Sequence, residues 1–314
     1  MVQIIEGDIY NTVENQENLA KLRAGEEFPE ETYIEIDCKV WASKTNTLKF
    51  EFGNNRGIVS EDELSIFGQP KLGRYLVNRY IGVYVIGRKV EFDGTVWYNF
   101  SRRAVQQKYY DTVVKNLKTL DIVDGRITSI KNASAWVDIG YGVMALLKVS
   151  NVSIVHLSNI ESFLTIGERI KVIVKTGVTE DNPFIDVSHK ELLGTWEDNV
   201  QDLEVQDTLE GRVVRIEDYG VFVLLKPNLV GLADKTEETE NLQVDDLVSV
   251  TVKNINSKKT KVKLRINGSK PPRKATGVIK KEYFLNEFIK DGKWVYNSEN
   301  TSDVRHVETN FLGK

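Results

Sequence analysis

Two aromatic side chains, Tyr219 and Phe222, lie in the stretch Asp218-Tyr219-Gly220-Val221-Phe222. Strand alternation that turns Val221 and Val223 inward must turn Phe222 outward. An outward ring pair has one chemistry open to it, stacking on flat π systems such as unpaired bases, worth ~1–3 kcal/mol per base. In Thr260–Ile266 (TKVKLRI), Lys261, Lys263 and Arg265 alternate with Val262 and Leu264, giving one apolar face and one row of cations. Arg212 and Lys253 alternate outward in the same way. Cations in such rows bind phosphates and make affinity salt-dependent. The competing structural readings bury the rings under a neighbouring domain or the C-terminal tail, and make the lysines a solvated edge. The sequence predicts no enzyme. It has no carboxylate set with metal spacing, no nucleophile–base pair and no phosphate loop.

The elements that must position these residues belong to a chain of 314 residues, 41% hydrophobic and 28% charged, which suits two to four small globular domains. No run of eighteen apolar residues occurs, and MVQIIEGDIY is not a secretory signal. The single cysteine, Cys38, excludes a disulfide framework and points to the cytoplasm. His156, His189 and His306 are scattered without zinc spacing, so neither a metal nor another cofactor is expected. The net charge of −4 is uneven. Residues 1–37 carry ten acids and two bases, which leaves 36 acids and 40 bases in the remainder. A mildly basic body behind an acidic leader permits nucleic-acid binding without demanding it.

The chain repeats. GRITSI at Gly125 and GRVVRI at Gly211 are 86 positions apart. CKVWAS at Cys38 stands 87 before Gly125, and SRRAV at Ser101 stands 87 before SHKEL at Ser188. Each unit runs through five short strand patterns with turn signals between them, which predicts a small closed barrel. In the third unit a hairpin bends at Asp218-Tyr219-Gly220, and Lys226-Pro227-Asn228 ends its second strand. Helical spacing predicts connectors in SRRAVQQKYYDTVVKNLK and SHKELLGTWEDNV, and a short amphipathic helix in NTVENQENLAKLRAGEE. GSKPPRKATG reads as a linker, and NEFIKDGKWVYN as a hairpin around Asp291-Gly292.

On these residues the chain resembles the S-one (S1) domain, the OB-fold RNA-binding repeat named for the largest protein of the bacterial small ribosomal subunit. The connectors resemble those of short Firmicutes-type ribosomal members. The resemblance covers roughly residues 36–266 and is clearest in the third repeat, at Gly211, Val213, Ile216, Asp218 to Phe222, and Gly231-Leu232. It implies an all-β fold of three tandem five-stranded OB barrels joined by short helices, with a small C-terminal extension. The expected domains are 1–35 (acidic leader), 36–118, 119–203, 204–268 and 269–314 (linker and hairpin). It also implies that Tyr219 and Phe222 are a stacking pair, that Asp234 replaces the family's turn histidine, and that Lys261 stands for its last-strand arginine. Asn256 falls near the usual aspartate. In the second repeat the same positions hold Ala133, Trp136, Lys148 and Phe184; Trp136 has interface packing as its competing reading. In the first repeat they hold Asn46 and Lys49, an eroded face. Trp97 and Tyr98 are expected to pack, and Arg102 and Arg103 to lie at a helix-start surface or a domain contact.

The expected function is non-enzymatic single-stranded RNA (mRNA) binding in translation, with the small ribosomal subunit contacted through the N-terminal region and no membrane partner. The alternative is a protein-interaction scaffold with little RNA affinity.

Overall fold

The computed structural model describes residues 4–7, 12–68, 72–131, 133–155, 160–267, 273–274, 279–285, 289, 292–297 and 306–312. The chain divides into two compact units, residues 1–117 with 138–144, and residues 118–137 with 145–314. The third repeat, the extension and the second repeat apart from residues 138–144 therefore share one unit.

The first unit opens with α1 (Val13–Ala24). Thr12 caps it by accepting from Asn15 N, and Gly25 ends it in a left-handed turn at φ +77°. Strands β1 (Tyr33–Asp37), β2 (Val40–Ala42), β3 (Thr47–Phe52), β4 (Asn55–Val59), β5 (Tyr80–Val90) and β6 (Val96–Ser101) form one sheet in the order β1-β5-β6-β4-β3-β2. The end strands β1 and β2 are consecutive in the chain, so one bent strand, broken at Cys38-Lys39, serves both edges. Residues 33–35 were expected in the leader. They are strand, because Ile34 and Ile36 are buried and the register Tyr33↔Tyr84 to Asp37↔Tyr80 pairs them with β5. Helix α1 caps this sheet with Leu22, and Asn55 Nδ2 donates to the Leu22 and Arg23 carbonyls at its end. Between β4 and β5 lies the single turn α2 (Leu72–Leu76), and after β6 comes α3 (Arg102–Thr112), capped by Ser101.

Strands β7 (Ile122–Lys131), β8 (Ser134–Asp138), β9 (Met144–Lys148), β10 (Arg169–Thr176) and β11 (Ile185–Ser188) close into a five-stranded barrel. The second connector is a 3-10 turn at Lys190–Leu193 followed by α4 (Trp196–Val200). Gly194, at φ +81°, separates the two where one continuous helix was expected. Strands β12 (Thr208–Glu217), β13 (Gly220–Lys226), β14 (Leu229–Ala233), β15 (Asp246–Asn256) and β16 (Lys261–Ile266) run in the order β12-β13-β14-β16-β15, and β12 pairs again with β15 to close the ring. In every repeat the third and fifth strands pair in parallel, the OB arrangement.

Inward positions of the third barrel are Val213, Val223, Val250, Val262 and Leu264. Gly231 is required beside them, because a Cβ there would stand 2.4 Å from Leu264 Cδ1 and 2.6 Å from its Cγ. Gly231→Ala should overpack this core and cost roughly 1–3 kcal/mol in a urea titration. An unchanged midpoint would show that Leu264 has room to move.

The extension closes the same core from outside. Lys293–Val295 pairs with Glu308–Asn310, and Trp294, Tyr296 and Phe311 are buried on the third barrel. Most of the first arm of the expected hairpin, residues 286–288 and 290, and its turn residue Asp291 lie outside the described residues. Most of the expected linker, residues 268–272 and 275–277, also lies outside them. His189 is structural. Its Nδ1–H donates to the Val152 carbonyl at 2.9 Å, Nε2 faces the Tyr283 hydroxyl at 3.3 Å, and burial drives its pKa down to about 3, so the ring is neutral. Among the described residues no helix is long and apolar enough to cross a membrane, and no group of three or more His, Cys, Asp or Glu could hold a metal.

Candidate nucleic-acid interface

The outward face of the third barrel is ordered by its registers. Arg215 on β12 lies opposite Phe222 on β13, Phe222 opposite Leu232 on β14, Leu232 beside Lys263 on β16, and Lys263 opposite Asn254 on β15. Side chains directly opposite in a ladder share a face, so this is one row reading cation, ring, aliphatic, cation, amide. Tyr219, at the tip of the β12–β13 hairpin, stands edge-on to Phe222 with centroids 6.0 Å apart and is 62% exposed. Gly220 lets the hairpin lie this close: a Cβ there would sit 2.5 Å from the Ala233 carbonyl oxygen.

Arg215 belongs to the site and was missed. Its guanidinium carbon stands 5.2 Å from the Phe222 centroid, and Nε donates to Glu217 at 2.5 Å. Strict alternation from Val213 would turn Arg215 inward. A bulge between Val213 and Arg215 reverses the parity. The signal was available, since Val213 and Ile216 differ in parity and cannot both face inward without an extra residue.

Lys261 and Lys263 are exposed and border a groove that Phe222 also lines. Lys253 sits at a second bulge, in β15, and approaches Asp234 at 3.9 Å, so these two predicted residues meet each other. Asn256 turns its side chain back to accept from Lys259 N. Arg212 does not join the row: its guanidinium donates to the Ser162 carbonyl, and it lines a different groove with Glu210 and Lys226. The bulge that brings Arg215 to the face leaves Arg212 on the side that meets the second barrel.

On the second barrel Trp136 and Phe184 stand edge-to-face at 5.3 Å, and Lys148 pairs with Asp186 at 2.9 Å. Lys148 and Asp234 are equivalent positions in the two barrels, and so are Asp186 and Lys263 by the parallel registers. The charges are therefore exchanged, and the second face is aromatic and internally neutralised where the third is cationic. In the first barrel Asn46 is buried in a turn, accepting from Trp41 Nε1 at 3.2 Å and donating to Glu61 at 3.0 Å, and Lys49 is exposed, with Val40 and Ile58 opposite it in the ladder. Tyr98 is fully buried and Trp97 lies under Arg56, so both pack.

A family model described as the S1 RNA binding domain matches residues 117–190. The match falls on the second barrel, although the turn motif is most complete in the third. Small ribosomal subunit protein bS1 of Staphylococcus epidermidis is 32% identical over 184 residues, covering 54% of this chain and 46% of the relative. The protein of that name from Staphylococcus haemolyticus is 28% identical over 207 residues, covering 61% and 52%. The chain spans about half the length of the curated relatives it matches. Among solved structures, a multidomain protein with nucleic acid binding domains from Streptococcus pneumoniae aligns with 75% of this chain and 73% of its own at 12% identity, with a TM-score of 0.25. Residues 117–190 thus match the S1 RNA binding domain model, and about half of the chain is similar in sequence to small ribosomal subunit protein bS1.

Proposed function

We propose that the chain is a non-enzymatic, cytoplasmic protein that binds single-stranded RNA and holds unstructured mRNA near the small ribosomal subunit during translation. The observation that carries this reading is the row Arg215, Phe222, Leu232 and Lys263 with Tyr219 beside it, where two rings are open to bases and cations flank them for phosphates. In this reading the repeats divide the labour. Residues 204–268 supply the principal RNA face and 119–203 a weaker one built on Trp136. The first barrel, with the acidic segment 1–32 ahead of its first strand, supplies the contact to the subunit. Glu14, Glu17, Glu26, Glu27 and Glu30 are exposed there, a surface suited to a basic partner.

The test is a fluorescence-anisotropy titration of a labelled unstructured RNA over a range of salt. Binding should weaken with salt, and Lys261→Ala with Lys263→Ala should flatten the log–log slope by up to about 1.4, near 0.7 for each lost phosphate contact. A salt-independent affinity, or no binding, would remove the RNA assignment. The scaffold reading keeps one supporting observation: Lys148 and Lys253 are both held against carboxylates. Ribosome co-sedimentation without RNA affinity in the isolated protein would favour it.

A further inference from the structure

Beside the exposed rings runs an apolar groove of about 350 Å³. Val214, Val230 and Leu232 of the third barrel line it, but one wall is foreign to that barrel. Ile154 and Val155 belong to the segment that follows β9 in the second barrel. That wall is held in place. Ser153 Oγ donates to the Pro227 carbonyl at 2.7 Å, and Ile154 N donates to Asn228 Oδ1 at 3.3 Å. Asn228 is fully buried. Its Nδ2 donates to the Lys190 and Gly194 carbonyls at 2.8 and 3.0 Å, and its own carbonyl accepts from the Tyr296 hydroxyl at 2.6 Å. The turn that ends β13 thus fixes the second barrel's segment, the connector and the extension at one point.

The chemistry of the groove limits its occupant. Apart from the Phe222 ring, the apolar lining is aliphatic, so a strongly hydrated group would lose its water there without replacement. Lys261, Lys263 and Arg215 stand at the same groove and offer positive charge. The complementary ligand is a flat apolar body attached to an anionic chain. We propose that the groove is a second base subsite: it takes one unpaired base of a single RNA strand while a neighbouring base stacks on Tyr219 and Phe222, and the second barrel supplies its wall. This rests on the RNA-binding reading. It makes the second and third barrels a composite site along one strand.

The test uses the full chain, a fluorescein-labelled uridine dodecamer and an abasic strand of the same length and charge. Val155→Ala removes part of the wall, and Val230→Phe fills the groove. Each should weaken the uridine strand roughly tenfold, the scale of one lost base contact. The salt slope should not change, because no cation is removed. Both variants should bind the abasic strand as the wild type does. Thermal melts monitor folding, and Val155→Ala, on a half-exposed segment, carries the test if Val230→Phe fails to fold. If both variants bind the uridine strand like the wild type while loss of the Tyr219 and Phe222 rings weakens it, the subsite is overturned and the RNA reading stands. If the variants weaken both strands equally, the wall is only structural and the subsite is overturned. If the wild type binds neither strand, both readings fall.

Discussion

Replacing both rings of the third barrel, Tyr219→Ala together with Phe222→Ala, weakens binding of an unstructured RNA by at least about 30-fold. Each base–aromatic stack contributes ~1–3 kcal/mol, and two at the low end already give that factor. The rings touch, so the double variant should differ from the sum of the singles. Phe222 also seats Arg215, and its loss frees that cation to swing away from the face. Tyr219→Ala should leave stability within about 0.5 kcal/mol, since a hairpin tip this exposed contributes little to the core. Phe222 is half-buried, so a melt of the double variant must accompany the anisotropy titration. A folded double variant with wild-type affinity would move RNA binding off this barrel.

The largest stability effect is expected in the first unit, at a buried ion pair the sequence did not reveal. Arg102 was expected at a surface or a domain contact. It is fully buried, with Nε and Nη2 donating to the two Glu6 oxygens at 2.6 and 2.7 Å and Nη1 to the Leu64 carbonyl at 2.5 Å. Glu6→Ala leaves the guanidinium unpaired away from water and should cost about 3–5 kcal/mol in chemical denaturation. Gly142 is compulsory beside the pair: at φ +72° its Cβ would stand 1.9 Å from Arg102 Nη2. Glu6→Leu combined with Arg102→Met should be less damaging than either change alone, because an apolar pair needs no partner. A double variant as unstable as the sum of the singles would show that packing, not charge, dominates.

The same cluster sets a pH dependence. Asp138 accepts from the backbone N–H groups of Glu6, Gly140 and Gly142. Burial first, and then the Glu6 charge, push its carboxyl up to about 7, against the lowering effect of the backbone donors. An acid whose folded pKa is raised binds its proton more tightly in the folded state. Its contribution is therefore fully present below about pH 4 and is lost as pH rises through about 7. Urea midpoints of the wild type should rise from pH 7.5 to pH 5 relative to Asp138→Asn, which has no proton to gain. Parallel midpoints in the two proteins would exclude Asp138 as the source.

What could be read without coordinates was whatever is periodic along the chain. Strand alternation, the 86- and 87-residue spacings, the hairpin at Asp218 to Gly220 and the stop at Lys226 to Asn228 are written in residue order, and the local ones rest on sterics and hydrogen bonding that act over a few residues. They sufficed for three OB repeats and for the outward direction of Tyr219, Phe222, Lys261 and Lys263. The errors cluster where one extra residue or one distant partner decides. The bulge between Val213 and Arg215 turned Arg215 outward beside Phe222, since a slip of one residue inverts every side chain beyond it, and a distant partner, the Ser162 carbonyl, holds Arg212 away from that row. Tyr33–Asp37 became strand because β5 was there to pair with it.

The repeat, the barrel class and the outward rings and lysines of the third barrel follow from residue order and backbone geometry alone. Which charges are paired, and with what, depends on how the chain folds back on itself. Lys253 meets Asp234, Lys148 meets Asp186, Arg102 meets Glu6 and Asn228 gathers three separate segments. These are contacts between residues 19 to 96 positions apart, and the energy of a charge depends on the distance to its partner and on the water between them, quantities that residue order does not contain.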